Sequence, residues 1–207
     1  MTRDKILEAA AHEIEKHGLT QFRVKRVAME AGISVALLYS YFDDREGLIA
    51  ATIVHRYRQV LMGNAETFTT PLRGVETTQQ LRDALRVMIA DAQLPERTEA
   101  RILRIEGMSF AHHNLTASAG IAAAKEEVGD LIERYVQPLV DKNLLAEGMT
   151  GFAFARIWYA LFFGQIALEG EKNLAVSAED WLRALEVIAD SMVRLDQRPN
   201  PQRAVRH

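Results

Sequence analysis

AGISVALLYSYFDDREGL, residues 31–48, decides how the rest of the chain is read. Gly32 breaks a helical pattern, and the segment after it crowds Val35, Ala36, Leu37, Tyr39 and Tyr41 onto about two helical turns. One side of so short a helix cannot bury them all. A tight turn between two helices needs a residue that tolerates positive φ and close backbone approach, which Gly32 supplies. Around such a hinge Val27, Ala28, Ile33 and Leu38 face inward, Phe42 joins the core, and Ser34 caps the next helix. These are the dimensions of a helix-turn-helix, which presents its second helix to the DNA major groove. The surplus side chains then have a use. Val35, Ala36 or Leu37 can meet thymine methyl groups, and the hydroxyls of Tyr39 and Tyr41 can reach phosphates.

Outward from this stretch the apolar spacing is three and four, with no alternating strand pattern, so an all-α chain of about nine helices is expected. Ile6, Leu7, Ala10 and Ile14 give a first helix closed at Gly18. Asp43 with Glu46 reads as a capping box for a long fourth helix from residue 43 to about Phe68. Thr77 with Gln80 does the same for a fifth, carrying Leu81, Leu85 and Met88. Ile102, Ile105 and Met108 mark a sixth, and residues from Thr116 a seventh that Pro138 should kink or end. An apolar segment, 152–169, and a helix capped by Ser177 follow. The segment approaches membrane-spanning length, but Arg156 and Gln165 within it point to a buried helix. The tail 196–207 has no apolar periodicity and two prolines, and is expected to be flexible.

Composition narrows the function classes. There is no cysteine, which excludes disulfides, thiolate metal sites and cysteine nucleophiles. The amino-terminal stretch lacks a signal peptide's unbroken apolar core. The net charge of −3 conceals a slight bias: residues 1–60 carry nine Lys/Arg against eight Asp/Glu, and the acidic excess lies in the remainder. No phosphate-cradling glycine loop, metal-ligand spacing or nucleophile with its base is present, so no catalytic residue, metal or cofactor is assigned. Adjacent His112 and His113 point in different directions on a helix.

From Ile6 to Ala50 the chain resembles the DNA-binding domain of the TetR family of bacterial transcriptional regulators. The resemblance lies in Val27-Ala28, then Ala31-Gly32-Ile33-Ser34, then Leu38-Tyr39-Ser40-Tyr41-Phe42, then Arg45-Glu46-Gly47-Leu48. It implies DNA contacts at Lys25, Val35, Ala36, Leu37, Tyr39, Tyr41 and Arg45, to which Arg23, Arg26 and Ser34 are added as neighbours. Three positions depart from the family pattern. Arg23 stands where a small hydroxyl residue is common, Leu37 where a small residue or threonine is usual, and Arg45 where lysine is usual.

The resemblance also implies a division into a DNA-binding domain, 1–48, and a ligand-binding and dimerisation domain, 49–195. The 152–169 segment is apolar nearly all round and requires cover on more than one side. Phe154, Trp158 and Leu161 there, with Trp181, Leu185, Ile188 and Met192 of the last helix, are the expected homodimer interface. Met88, Met108, Phe110, His112, Tyr135, Trp158 and Phe162 are the candidates to line an effector pocket. Arg101, Arg104 and Glu106 could pair an anionic ligand or form an exposed face. The expected function is a cytoplasmic, dimeric, ligand-responsive repressor of a palindromic operator on double-stranded DNA, with a small-molecule effector and no membrane partner. The alternative is a helical small-molecule-binding or scaffold protein that no longer reads DNA.

Overall fold

Gly32 takes φ +70°, the left-handed conformation the hinge requires. Before it lies α2 (Val24–Glu30) and after it α3 (Val35–Tyr39), both packed on α1 (Thr2–His17) and the start of α4 (Arg45–Thr69). Ser34 caps α3 as its type predicts, its side chain accepting the Leu37 N–H at 3.1 Å. The helix itself has only five residues and passes into a turn in which the Ser40 and Tyr41 N–H groups donate to Ala36 and Leu38. Ile6, Leu7, Val27, Ala28, Leu38, Phe42, Leu48 and Ile49 are buried together, with Ile33 half-buried against them. Each of the larger side chains among them contributes about 1.5–3 kcal/mol.

Helix α4 begins one turn position later than the Asp43–Glu46 pairing suggested. Asp44 is the cap: its carboxylate accepts the Gly47 N–H at 2.6 Å and its carbonyl the Leu48 N–H at 3.1 Å. Glu46 pairs with Arg45 instead.

The structure, a computed structural model, describes residues 2–167 and 177–195, and the chain forms two compact units, Met1–Asn64 with Glu99–Gly129, and Ala65–Thr98 with Asp130–His207. Among the described residues there are nine α-helices and no strand. The expected flexible tail, 196–207, lies outside the described residues.

The first unit adds most of α6 (Glu96–His112) and the first half of α7 (Leu115–Asp141). Here α6 is turned by about 100°, one residue, from the orientation its isoleucines indicated: Ile102 and Ile105 are exposed, while Arg101, Arg104 and Gly107 are buried. Gly107 explains the rotation. A Cβ there would stand 2.7 Å from the buried Tyr57 ring of α4, so only glycine allows the approach, and positions three and six residues earlier turn inward with it. Arginine tolerates this because its long apolar stem packs well. At the rim Glu8 of α1 meets His55 and Gln59 of α4, at 2.9 Å each. Exposed pairs of this kind are worth about 0–1 kcal/mol, so the apolar seam dominates.

The second unit is built on α5 (Thr78–Ala92), whose Thr77–Gln80 capping box is fully formed, the second half of α7, α8 (Gly151–Gly164) and α9 (Ala178–Met192). Leu81, Leu85, Met88, Ile89, Leu139, Phe154, Trp158, Leu185 and Met192 form its core. Pro138 does not break α7, which runs on to Asp141. The proline and Arg134, whose carbonyl loses its helical partner, are both exposed, so the lost hydrogen bond falls on the solvent side of the helix. Helix α8 stops at Gly164, and a 3₁₀ turn over Gln165–Ala167 takes the next part of the expected 152–169 helix; residues 168 and 169 lie outside the described range. Among the described residues no helix is long and apolar enough to cross a membrane. The end of α9 is pinned by an isolated bridge, Leu145 to Val193, with Ala146 N–H donating to Met192 and Arg194 N–H to Leu144.

Gly107→Val should therefore lower stability by about 3 kcal/mol through overpacking. Gly129→Ala, on α7 with open space around its Cβ, should raise it by about 0.5–1 kcal/mol through helix propensity. Paired thermal melts check both.

Candidate nucleic-acid interface

The hinge leaves one face of the head open. Leu37 is 43% exposed, Tyr39 41% and Tyr41 42%, and Ala36 and Ser34 lie exposed beside them. Apolar tips and two phenol groups thus stand outward from a helix anchored beneath by Leu38, whose exposure is zero. Val35 is different, being half-buried against the head core. On α2 Lys25 is exposed, and Arg23 just before the helix is exposed too; neither side chain has a hydrogen bond or ion pair among the described residues. Met29, four residues after Lys25 and so on the same face of α2, is 77% exposed. Sequence reading missed Met29, although the i, i+4 spacing from Lys25 was available to find it.

Two of the arginines expected at this face are engaged within the head. Arg26 donates through Nε to both carboxylate oxygens of Glu13, at 2.8 and 2.9 Å, and through Nη2 to Glu13 and to the Gln21 carbonyl. Arg45 donates to the Leu19 carbonyl at 2.8 Å and lies over the Phe22 ring, 5.6 Å from its centroid. A contact of 3.5 Å to the Phe22 carbonyl adds little. Both guanidinium groups therefore hold the loop between α1 and α2.

Glu13 is the centre of this arrangement, with 4% exposure on α1. Besides Arg26 it accepts the Arg23 backbone N–H at 3.0 Å. Arg23 occupies the cap position of α2 with extended backbone and no side-chain cap bond, so a carboxylate from another helix supplies the missing acceptor. The Arg26 hydrogen bonds hold the Glu13 carboxyl below the ordinary carboxylate range, outweighing the opposing effect of burial, and the Arg23 N–H lowers it further. His17 Nε2 lies 3.8 Å away. The sequence signal for Glu13 was a charge on the apolar stripe Ile6, Ala10, Glu13, His17.

The effector candidates fall into two groups. Met88, Tyr135, Trp158 and Phe162 belong to the second unit's apolar core, where Trp158 packs between Phe154 and Phe162 and Arg73 lies over the Tyr135 ring. Met108, Phe110 and His112 belong to the first unit; Phe110 packs on the head core, and His112 is exposed with its ring edge-on to His113. Among the described residues no three potential ligands form a metal site. The indole N–H groups of Trp158 and Trp181 are sealed from solvent, with no acceptor among the described residues.

The expected dimer residues divide by burial. Phe154, Trp158, Leu185 and Met192 are buried within their own chain, because α5 and α7 supply the cover that the apolar circumference of α8 demanded. Leu161, Trp181 and Ile188 remain half-buried, and Phe152 and Val187 are exposed near them in sequence on the same two helices.

Residues 6–52 match the family model for bacterial regulatory proteins of the tetR family. An HTH-type transcriptional regulator BetI from Brucella anthropi is 27% identical over 153 residues, which covers 64% of this chain and 78% of that one. With BetI of Paraburkholderia phytofirmans the identity is 28% over 102 residues, 49% of each chain. A crystal structure of a TetR-family regulator from Mesorhizobium loti superposes with TM-score 0.61 over 92% of both chains at 18% identity, a likeness of fold.

The lowered Glu13 pKa gives an acid limb to stability. The carboxylate's contribution is fully present above the unfolded glutamate value of about 4.3 and is lost as pH falls through the lower folded value. Glu13→Gln should flatten that limb and reduce stability at neutral pH; denaturant titrations between pH 3 and 7 measure the effect.

Proposed function

We propose that the chain is a transcriptional regulator of the bacterial TetR family and not an enzyme, and that it acts as a dimeric repressor of a palindromic operator, released by a small apolar or amphipathic effector. The observation that carries this reading is the outward stance of Leu37, Tyr39 and Tyr41 on an element whose inner side is fully buried. A soluble head gains nothing by displaying these groups to water, whereas a major groove offers thymine methyls and phosphates to receive them. Residues 1–48 form the DNA-binding domain in this reading, with Ser34, Ala36, Leu37, Tyr39 and Tyr41 at the groove, Val35 at its edge, and Arg23 and Lys25 at the phosphates.

One five-residue helix reads few base pairs, so selectivity requires two heads, set about 34–36 Å apart or a multiple of it. Leu161, Trp181 and Ile188, with Phe152 and Val187, are the dimer surface. Residues 49–195 hold the effector and the dimer contacts, and Met88, Tyr135, Trp158 and Phe162 are the effector-binding group. The sealed indole N–H of Trp158 favours an effector with an acceptor group, since a buried donor left unmet costs about 1–3 kcal/mol. Helix α4 contributes to both compact units, and through it effector binding alters the spacing of the heads. The protein works in the cytoplasm, where its DNA lies.

Selection of duplexes from a random pool tests the reading: a recovered palindrome supports it, and a pool with no enriched sequence refutes it. Tyr39→Ala should weaken the selected complex about fivefold, the worth of one hydrogen bond of about 1 kcal/mol. Val187→Asp or Ile188→Asp should give monomers in sedimentation without loss of helix content. Both tryptophans lie in the second unit, so an effector should shift the intrinsic fluorescence, and Trp158→Phe should remove most of that response.

A further inference from the structure

We propose that Glu13 is a positioning residue for DNA reading, and that Arg26 and Arg45 serve with it as braces of the head rather than as phosphate ligands. The proposal rests on the DNA-reading function above and assigns within it which cations touch the duplex.

Three observations converge. First, α2 starts without a side-chain cap of its own, and Glu13 accepts the Arg23 N–H in its place. The entry point of α2 is therefore dictated by α1. Second, the same carboxylate takes both Nε bonds of Arg26, whose Nη2 reaches on to the Gln21 carbonyl. A guanidinium with its fork filled by a buried carboxylate has little to offer a phosphate. To release it would leave Glu13 charged, buried and short of donors, the costly half of a broken pair. Third, Arg45, first residue of α4, donates to the Leu19 carbonyl from the other side of the same loop and rests on Phe22. The loop at residues 19–22 is thus gripped by α2 through Arg26 and by α4 through Arg45.

The consequence is a division of labour. Helix α3 follows α2 across the Gly32 turn, where the Ile33 N–H donates to the Ala28 carbonyl, and packs on the same core, so what fixes α2 on α1 helps to fix the angle at which Leu37 and Tyr39 enter the groove. Lys25 and Arg23, exposed and without an ion pair among the described residues, are left as the α2 cations for the phosphate backbone.

Phosphate ligands and braces differ in salt dependence. Each phosphate contact contributes about 0.9 to the slope of log K against log salt, whereas a brace contributes nothing to that slope. The test uses full-length protein, the duplex selected by the wild type, and a scrambled duplex of equal length, at a temperature where every variant retains wild-type helix content. Lys25→Met should weaken both duplexes and reduce the slope by about 0.9 per head. Arg26→Met and Glu13→Gln should weaken the selected duplex about tenfold, leaving the slope and the scrambled-duplex affinity unchanged. Arg26→Lys, which keeps the charge but not the fork, should lose nearly as much selectivity as Arg26→Met and serves if Glu13→Gln does not fold. A lower slope in Arg26→Met, or full selectivity in Glu13→Gln or Arg26→Lys, overturns the proposal. Failure of the wild type to select any duplex instead refutes DNA reading itself, and the brace assignment with it.

Discussion

Helix α3 has five residues, too few to recover by its own hydrogen bonds the entropy of ordering its backbone. Its place depends on a constraint from below: Leu38 sits in the head core with no exposed surface, while Gly32 and Ser34 fix the turn that leads into it. That one anchor explains the crowded composition of the segment. Leu38 and Phe42 are spent on attachment, which frees Leu37, Tyr39 and Tyr41 to stand outward. A longer helix could have afforded more anchors, but it would not have needed so dense a sequence.

The electrostatics of the head follow from the same economy of contacts. A domain with nearly balanced charges cannot draw DNA by bulk attraction alone, and it also commits two of its arginines to partners within the head. What it gains is geometry. The Glu13 carboxylate joins the first two helices at a point where α2 has no cap of its own, and Arg45 ties the fourth helix to the same loop. Fewer cations then face outward, in definite positions, which favours discrimination over general affinity for polyanions.

In the second unit the physical question was where an all-round apolar helix finds its cover. Most of it comes from within the subunit, since α5 and α7 close over Phe154 and Trp158, with Leu185 of α9 in the same core. The remainder, half-buried Leu161, Trp181 and Ile188 and exposed Phe152 and Val187, is a smaller surface than the composition of α8 alone implied.

Much of the fold was legible because its signals are local. Helix periodicity, the caps at Ser34, Thr77 and Ser177, and the positive φ at Gly32 each depend on a few adjacent residues, and all appear in the structure. The exposure of Leu37, Tyr39 and Tyr41 followed from counting how much a short helix can bury. What tertiary structure alone decided were the pairings between segments distant in sequence. Nothing near Arg26 or Arg45 announces that Glu13, thirteen residues back, or the Leu19 carbonyl, twenty-six back, will claim their donors. The face of α6 was likewise set by Tyr57 meeting Gly107, which turned the helix away from the side its isoleucines suggested. Periodicity tells which residues share a side; only the neighbour that arrives in three dimensions determines whether that side is inward, and whether a charge is free or already answered.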